Sequence, residues 1–174
     1  MPKMDNQGTL KILDICAAPG GKSMLAADIL NHADIDYMLE ARDISEYKVE
    51  LMQENFNRCH LNKAKAVAWD ALEPDERWLG QADVVIADIP CSGLGVIGRK
   101  RDIKYKMTPQ AVQDIVELQE KILKVAASYV KKGGKLLFST CTVNKDENEA
   151  HVKWIQDTLS LIHISEPTRR SYIS

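Results

Sequence analysis

Short apolar runs that alternate with segments of helical periodicity are the feature that most constrains the fold of this chain. Five runs are expected to be strands, at residues 10–15, 37–41, 64–69, 82–87 and 135–139. The fourth run is so continuously apolar that both of its faces should be buried. Strands that alternate with helices predict an α/β fold, a mostly parallel sheet with helices on both faces.

Four helices are expected between and after these runs. The first two cover residues 22–30 and 45–59, the second with Ser45 as its cap. The third begins with Thr108 as its cap and Pro109 at its first position, and it is stopped by Lys132-Gly133-Gly134. The last covers residues 145–157. In such a fold the carboxyl ends of the strands share one edge of the sheet, and ligands bind there near the point where strand order reverses.

Length and composition favour one domain with an ordinary core. The chain has 174 residues and a formal net charge of -2, which argues against a protein that is basic all over. No apolar run is long enough for a membrane span, and no signal-peptide pattern is present, so we expect a cytoplasmic protein. We also expect it to be a monomer. The four cysteines are far apart and lack the C-x-x-C spacing of a zinc or redox site, so we expect thiols and no bound metal.

The loop after the first strand indicates a site for a nucleotide-like ligand. It consists of Cys16, Ala17, Ala18, Pro19, Gly20, Gly21 and Lys22. It lacks the G-x-G-x-x-G pattern of dinucleotide sites. Gly21-Lys22-Ser23 matches the end of a phosphate-binding loop, but Cys16 stands where that loop needs its first glycine. A nucleotide hydrolase is therefore a second hypothesis, with Asp88 as a magnesium ligand.

Aspartates at the ends of three further strands favour S-adenosylmethionine over both alternatives. Asp43 follows the loop by about twenty residues, where a carboxylate can bind ribose hydroxyls. Asp70 can reach an adenine amino group, and Asp88 can reach the ligand's ammonium or a substrate base. A single aspartate at such a position is more often a cap or a loop residue, but three at successive strand ends favour the cofactor.

Four segments together resemble the Sun-type RNA cytosine-5 methyltransferases. They are LDICAAPGGK at 13–22, ARD at 41–43, ADIPCSGLGVIGRKRDIKY at 87–105 and STCTVNKDEN at 139–148. The family usually has threonine at the position of Ser23 and commonly proline at that of Arg101. It also continues into a C-terminal strand pair and carries an N-terminal RNA-binding extension, so the chain resembles a fragment of the catalytic domain.

The resemblance implies methyl transfer from S-adenosylmethionine to carbon 5 of a cytosine in RNA, with 16S ribosomal RNA expected and transfer RNA as the competitor. It implies that Cys141 is the nucleophile that adds to carbon 6 of the base. It also implies that Cys91 helps to release the product and that Asp88 hydrogen-bonds the base near N3. Cys59 is expected to be only a small buried residue. Cys16 is expected to contact the cofactor through its backbone and not through its sulfur.

A basic stretch after Cys91 is expected to contact the RNA backbone. Its residues are Arg99, Lys100, Arg101 and Lys104. His32, His60 and His151 have no partners at ligand spacing and are expected at the surface. A non-catalytic RNA-binding module is a third hypothesis, which the complete catalytic set disfavours.

The last residues resemble the translation of a sequencing adapter, from Leu159 to Arg169. We therefore expect the partial methyltransferase domain to cover residues 1–158 and residues 159–174 to be a non-native tail. A genuine polar extension is the alternative.

Overall fold

The computed structural model describes residues 8–93 and 108–159. Within these ranges strands and helices alternate along most of the chain. The elements are β1 (Leu10–Asp14), α1 (Gly21–His32), β2 (Tyr37–Asp43), α2 (Glu46–Arg58), β3 (Ala64–Ala68), β4 (Ala82–Asp88), α3 (Pro109–Tyr129), β5 (Val130–Ser139) and α4 (Glu149–Thr158). Each of the five expected strands and four expected helices is confirmed, with changed boundaries. No strand follows β5 within the described part of the chain, and no helix there is long and apolar enough to cross a membrane.

All strand pairs in the sheet are parallel, and the strand order is β3-β2-β1-β4-β5. Asp14 at the end of β1 is in register with Ala41 on one side and with Ile86 on the other. The chain runs outwards from β1 to β3 and then returns to the other side of β1 as β4. Strand order therefore reverses between β1 and β4, where an α/β sheet forms its ligand crevice.

The core consists of two apolar clusters, one on each face of the sheet. Leu10 and Ile12 of β1 pack in the same cluster as Phe56 of α2. Leu13 belongs to the other cluster, together with Leu123 of α3. This alternation is the period-2 pattern of a strand that is buried on both faces. Burial of each large apolar side chain stabilises the fold by about 1.5–3 kcal/mol.

The prediction that Lys132-Gly133-Gly134 stops the third helix is wrong, because β5 already begins at Val130. Val130 pairs with Ala82, and the register between the two strands shifts just beyond this pair. Gly133 has a φ of 79° within the irregular stretch. A Cβ atom at Gly134 would lie 2.8 Å from the carbonyl oxygen of Ala82. The two glycines thus permit a bulge and a close backbone approach inside a strand.

The last helix begins at Glu149, four residues later than expected, because the preceding residues form a turn. The backbone N–H of Ala150 donates to the carbonyl of Lys145 at 3.0 Å. The Asn148 side chain does not cap the helix. Its Nδ2 donates instead to the carbonyl of Thr142 at 2.8 Å, so it ties the turn to the end of the sheet.

The two helix caps expected from the sequence, Ser45 and Thr108, differ in outcome. Thr108 is confirmed as a cap, since its Oγ1 accepts a hydrogen bond from the backbone N–H of Ala111 at 3.1 Å. Ser45 lies at the cap position of α2, but its side chain makes no capping bond. Asp43 instead closes a turn just before the helix, because its Oδ1 accepts from the backbone N–H of Ser45 at 3.0 Å.

His151 is buried, which corrects the expectation that it lies at the surface. It is 2% exposed, and it shares the inward side of α4 with Ile155, four residues later. Its Nδ1 lies 2.9 Å from the carbonyl oxygen of Asp146. Its ring packs near those of Phe138 and Trp154, with centroids 6.1 and 6.3 Å away.

Cys59 also differs from its prediction, because it is exposed at the carboxyl end of α2. Its helix turns its buried residues, Met52 and Phe56, to the other side. His32 and His60 are exposed, as expected.

Candidate active site

The loop between β1 and α1 is a tight turn held against the neighbouring strand β2. The backbone N–H of Ala17 donates to the carbonyl of Arg42 at 2.7 Å, and that of Gly20 donates to Ala17 at 2.7 Å. Gly20 has a φ of 96° immediately before α1. A Cβ atom at Gly20 would lie 3.3 Å from Cγ of Met52. The loop residues predicted to bind the cofactor therefore lie at the strand-order reversal.

Asp14 is the buried floor of this loop and was not among the predicted site residues. Its Oδ2 accepts a hydrogen bond from Oγ of Ser23 at 2.7 Å. Its Oδ1 is buried and has no hydrogen-bond partner within the described residues. Burial raises the pKa of Asp14 to about 6, the hydrogen bond from Ser23 lowers it, and the nearby charge of Asp88 raises it. Its place at the end of an apolar strand is the sequence signal that could have identified it.

The thiol of Cys16 lies within electrostatic range of four aspartates. Burial first, and then the charges of all four carboxylates, raise the pKa of this thiol to about 12. The four residues are Asp14, Asp43, Asp88 and Asp70. The thiol is therefore neutral at physiological pH and is a poor nucleophile. The crevice combines the three predicted acidic residues with Asp14, so its potential is negative.

Asp43 and Asp70 each close a local turn as well. Oδ1 of Asp43 accepts the hydrogen bond from Ser45 and also lies 3.4 Å from Nζ of Lys48. Oδ1 of Asp70 accepts from the backbone N–H of Leu72 at 2.9 Å. These contacts are the ordinary structural use of a loop aspartate. Their predicted contacts with ribose and adenine stay predictions.

Asp88 joins the first loop to the last two strands. Its Oδ1 accepts a hydrogen bond from Oγ of Ser139 at 2.6 Å, and its Oδ2 forms an ion pair with Nζ of Lys22. Both members of the ion pair are partly exposed. Asp88 and Ser139 are also direct neighbours in the β4–β5 register. Lys22 and Asp88, predicted separately from two segments, thus lie in one site.

Cys91 and Cys141 lie side by side beyond the ends of β4 and β5. Their Cα atoms are 6.3 Å apart, and the structure joins their sulfurs as a disulfide. The expectation of four thiols is therefore wrong for this pair, while Cys16 and Cys59 are free. The parallel pairing of β4 and β5 brings the two cysteines within the ordinary range of Cα separations for a disulfide. The predicted neighbourhood of the two cysteines is confirmed, and a reaction that uses either thiol requires the reduced pair.

Arg99, Lys100, Arg101 and Lys104, which we expect to contact RNA, lie outside the described residues. So do residues 160–174 of the expected tail.

The carboxylates in the crevice fit S-adenosylmethionine better than a phosphate ligand. Oδ1 of Asp14 is a buried acceptor without a partner in the described part of the chain. The four carboxylates around Cys16 favour a ligand that carries sulfonium and ammonium charges, and they repel phosphates. No group of three or more His, Cys, Asp or Glu side chains within the described residues could hold a metal ion.

Comparison with known proteins gives the same assignment. A family profile described as 16S rRNA methyltransferase RsmB/F matches residues 2–168. The probable ribosomal RNA small subunit methyltransferase B of Bacillus subtilis (strain 168) is 38% identical over 147 residues, which are 84% of this chain and 32% of that protein. The ribosomal RNA small subunit methyltransferase F of Escherichia coli O7:K1 (strain IAI39 / ExPEC) is 29% identical over 154 residues, 88% of this chain and 32% of that protein.

A solved structure agrees with these relatives. The structure of NSun6 from Pyrococcus horikoshii with SFG superposes with a TM-score of 0.72 at 31% identity, and the match covers 84% of this chain and 36% of that one. The expected Rossmann-like methyltransferase fold is confirmed. The chain spans about a third of the length of the relatives it matches. Because the family profile covers nearly all of its residues, the chain belongs to the 16S rRNA methyltransferase RsmB/F family.

Proposed function

We propose that this chain is the catalytic core of an RNA cytosine-5 methyltransferase that acts on 16S ribosomal RNA. The observation that carries the proposal is the juxtaposition of Cys91 and Cys141, whose Cα atoms are 6.3 Å apart beside the acidic crevice. Family membership and the names of the relatives support the ribosomal substrate. They also favour a methyltransferase over a nucleotide hydrolase.

S-adenosylmethionine, when bound, supplies an electrophilic methyl group. The backbone of the first loop, residues 16–22, would hold the cofactor together with Asp43 at its ribose hydroxyls and Asp70 at its adenine amino group. Asp88 is proposed to face the cofactor's ammonium or the substrate base. Asp14 adds a buried carboxylate oxygen without a partner in the described ranges, and it suits a cationic group.

The cysteines supply the activation that carbon 5 of cytosine lacks. The thiolate of Cys141 adds to carbon 6, and the new C–S bond makes carbon 5 enamine-like and able to accept a methyl group. Asp88, in its protonated form, donates a hydrogen bond to the base near N3 and stabilises the negative charge that develops there on addition. Methyl transfer to carbon 5 would release S-adenosylhomocysteine. The proton on carbon 5 is then lost to solvent, its bonding electrons restore the C5–C6 double bond, and the C–S bond breaks with its electron pair returning to Cys141. Cys91, adjacent to Cys141, assists this release.

The target base must leave its stack to reach the cysteines. Arg99, Lys100, Arg101 and Lys104 follow Cys91 in the chain, and we propose that they bind the phosphates next to that base. We further propose that the protein acts as a monomer in the cytoplasm, where ribosomal RNA is accessible.

Bisulfite sequencing of RNA from cells with and without the gene tests the function. The expected result is the loss of 5-methylcytosine at a position in 16S ribosomal RNA. Loss of 5-methylcytosine from transfer RNA alone would show that transfer RNA, and not ribosomal RNA, is the substrate. An unchanged pattern in both RNAs would contradict the proposal. Calorimetry provides a second arm, in which S-adenosylmethionine binds and ATP does not.

A further inference from the structure

The buried carboxylate of Glu147 connects the two cysteine loops, and the chemistry described above does not use it. Its Oε2 accepts a hydrogen bond from the backbone N–H of Ser92 at 2.8 Å. Its Oε1 accepts from Oγ1 of Thr142 at 3.3 Å. Ser92 directly follows Cys91, and Thr142 directly follows Cys141. One carboxylate is therefore bonded to the neighbour of each cysteine.

Two further contacts reinforce this connection. The hydroxyls of Ser92 and Thr142 lie 2.9 Å apart, so the cysteine loops are also bonded to each other. Nε2 of Gln119, on α3, donates to Oε2 of Glu147 at 3.0 Å and to the carbonyl of Pro90 at 2.8 Å. The network therefore ties both loops to a long helix of the core.

The electrostatics of Glu147 indicate a charged carboxylate. It is 0% exposed, and burial alone would raise its pKa. Hydrogen bonds from Ser92, Gln119 and Asn144 outweigh burial and hold the pKa below its usual value. Hydrogen bonds to an ionised acceptor are stronger than neutral ones, and a buried donor that loses its partner is costly. The network is thus stiffer than a set of neutral loop contacts would be.

We propose that Glu147 is a positioning residue that holds Cys91 and Cys141 side by side in the reduced enzyme. The role rests on the proposed function, because the spacing of the thiols matters only when both act on one base. Glu147 need not touch the RNA or the cofactor. Its effect on rate arises because a misplacement of reacting groups by about 1 Å can cost on the order of a hundredfold.

The first experiment follows the thiol pair without any substrate. The chain is reduced, freed of reductant and treated with a mild oxidant, and formation of the Cys91–Cys141 disulfide is timed by mass spectrometry. Glu147→Gln, which keeps the shape but not the charge, should slow it several-fold. Glu117→Gln is the same change at an exposed position of α3, and in this variant the disulfide should form at the parent rate. If Glu147→Gln does not fold, Thr142→Val removes one arm of the network instead.

The second experiment measures methyl transfer to RNA. Glu147→Gln should lower kcat about tenfold or more, with an unchanged Kd for S-adenosylmethionine and an unchanged KM for RNA. Unchanged disulfide kinetics in both Glu147→Gln and Thr142→Val would overturn the positioning role, even if activity fell. Slowed disulfide formation together with an inactive parent protein would support the positioning role and count against the proposed function.

Discussion

The backbone N–H of Cys141 donates a hydrogen bond to Sγ of Cys91 at 3.1 Å. The backbone of one cysteine thus contacts the side chain of the other, at the ends of two adjacent strands. The two cysteines therefore differ in surroundings although they are neighbours. This difference agrees with separate roles in addition and release.

Replacement of Cys91 by alanine should trap the reaction after methyl transfer. Cys141 can still form the bond to carbon 6, but release of the product is slowed. Incubation with RNA and S-adenosylmethionine should accumulate a covalent protein–RNA adduct that survives denaturing electrophoresis. The double variant Cys91→Ala with Cys141→Ala is the control and should give no adduct. Absence of an adduct in the single variant would remove the release role from Cys91.

The raised pKa of Asp14 predicts a specific pH dependence of stability. Its pKa of about 6 in the folded chain exceeds its unfolded value, so the folded state holds a proton that the unfolded state has lost. The contribution of Asp14 to stability is therefore fully present below pH 4 and declines as pH rises towards 6 and beyond.

Asp14→Asn should abolish this dependence, because asparagine does not ionise. Relative to the parent, the variant should gain on the order of 1–3 kcal/mol in free energy of unfolding between pH 4 and pH 7. Urea denaturation at several pH values measures the difference. Asp28→Asn, at an exposed position of α1, is the control. If the free energies of unfolding of Asp14→Asn and the parent differ by the same amount at every pH, the raised pKa of Asp14 is refuted.

Substitution of the buried Arg42 is predicted to cause a large loss in the free energy of unfolding. Arg42 is 1% exposed, pairs with Glu40 and Asp75 at 2.5 Å each, and lies 4.9 Å from the ring centroid of Trp69. Arg42→Met leaves two largely buried carboxylates without this partner and should lower the free energy of unfolding by about 3–5 kcal/mol. Arg77→Met removes the exposed cation from the same Asp75 and should cost less than about 1 kcal/mol. Equal losses in thermal or urea unfolding would contradict the importance of burial.

Charge removal at Arg99 and Lys100 should weaken RNA binding in a salt-dependent way. Each lost phosphate contact should lower the slope of log Kd against log salt by roughly 1. Filter binding or fluorescence anisotropy at several salt concentrations measures the slope for Arg99→Gln and Lys100→Gln. Lys132→Gln, an exposed lysine at the opposite end of β5, should leave it unchanged. Slopes equal to that of the parent in both Arg99→Gln and Lys100→Gln would exclude these phosphate contacts.

Local patterns were sufficient for the framework of the fold and for the juxtaposition of the main site residues. Apolar runs and turn residues identify the strands, and parallel pairing then brings Asp88, Cys91 and Cys141 together. The bulge at the start of β5 was missed because it depends on how Gly134 meets Ala82, a contact between distant parts of the chain.

The buried polar residues were missed for the same physical reason. Glu147 and His151 lie in a polar, charged stretch that sequence alone places at the surface. The main donors to Glu147 come from Ser92, 55 residues away, and Gln119, 28 residues away. Partners at such separations leave no periodic signal, so only the folded chain shows that the carboxylate is satisfied.

Methyl transfer by Cys141→Ala tests the central claim most directly. The variant and the parent are incubated with labelled S-adenosylmethionine and a small-subunit ribosomal RNA transcript under reducing conditions, while calorimetry measures cofactor binding. We expect binding at the parent affinity with no label on the RNA, and we expect Cys59→Ala, at an exposed cysteine outside the crevice, to transfer label normally. Label on the RNA at the parent rate in Cys141→Ala would contradict the assignment of Cys141 as the nucleophile.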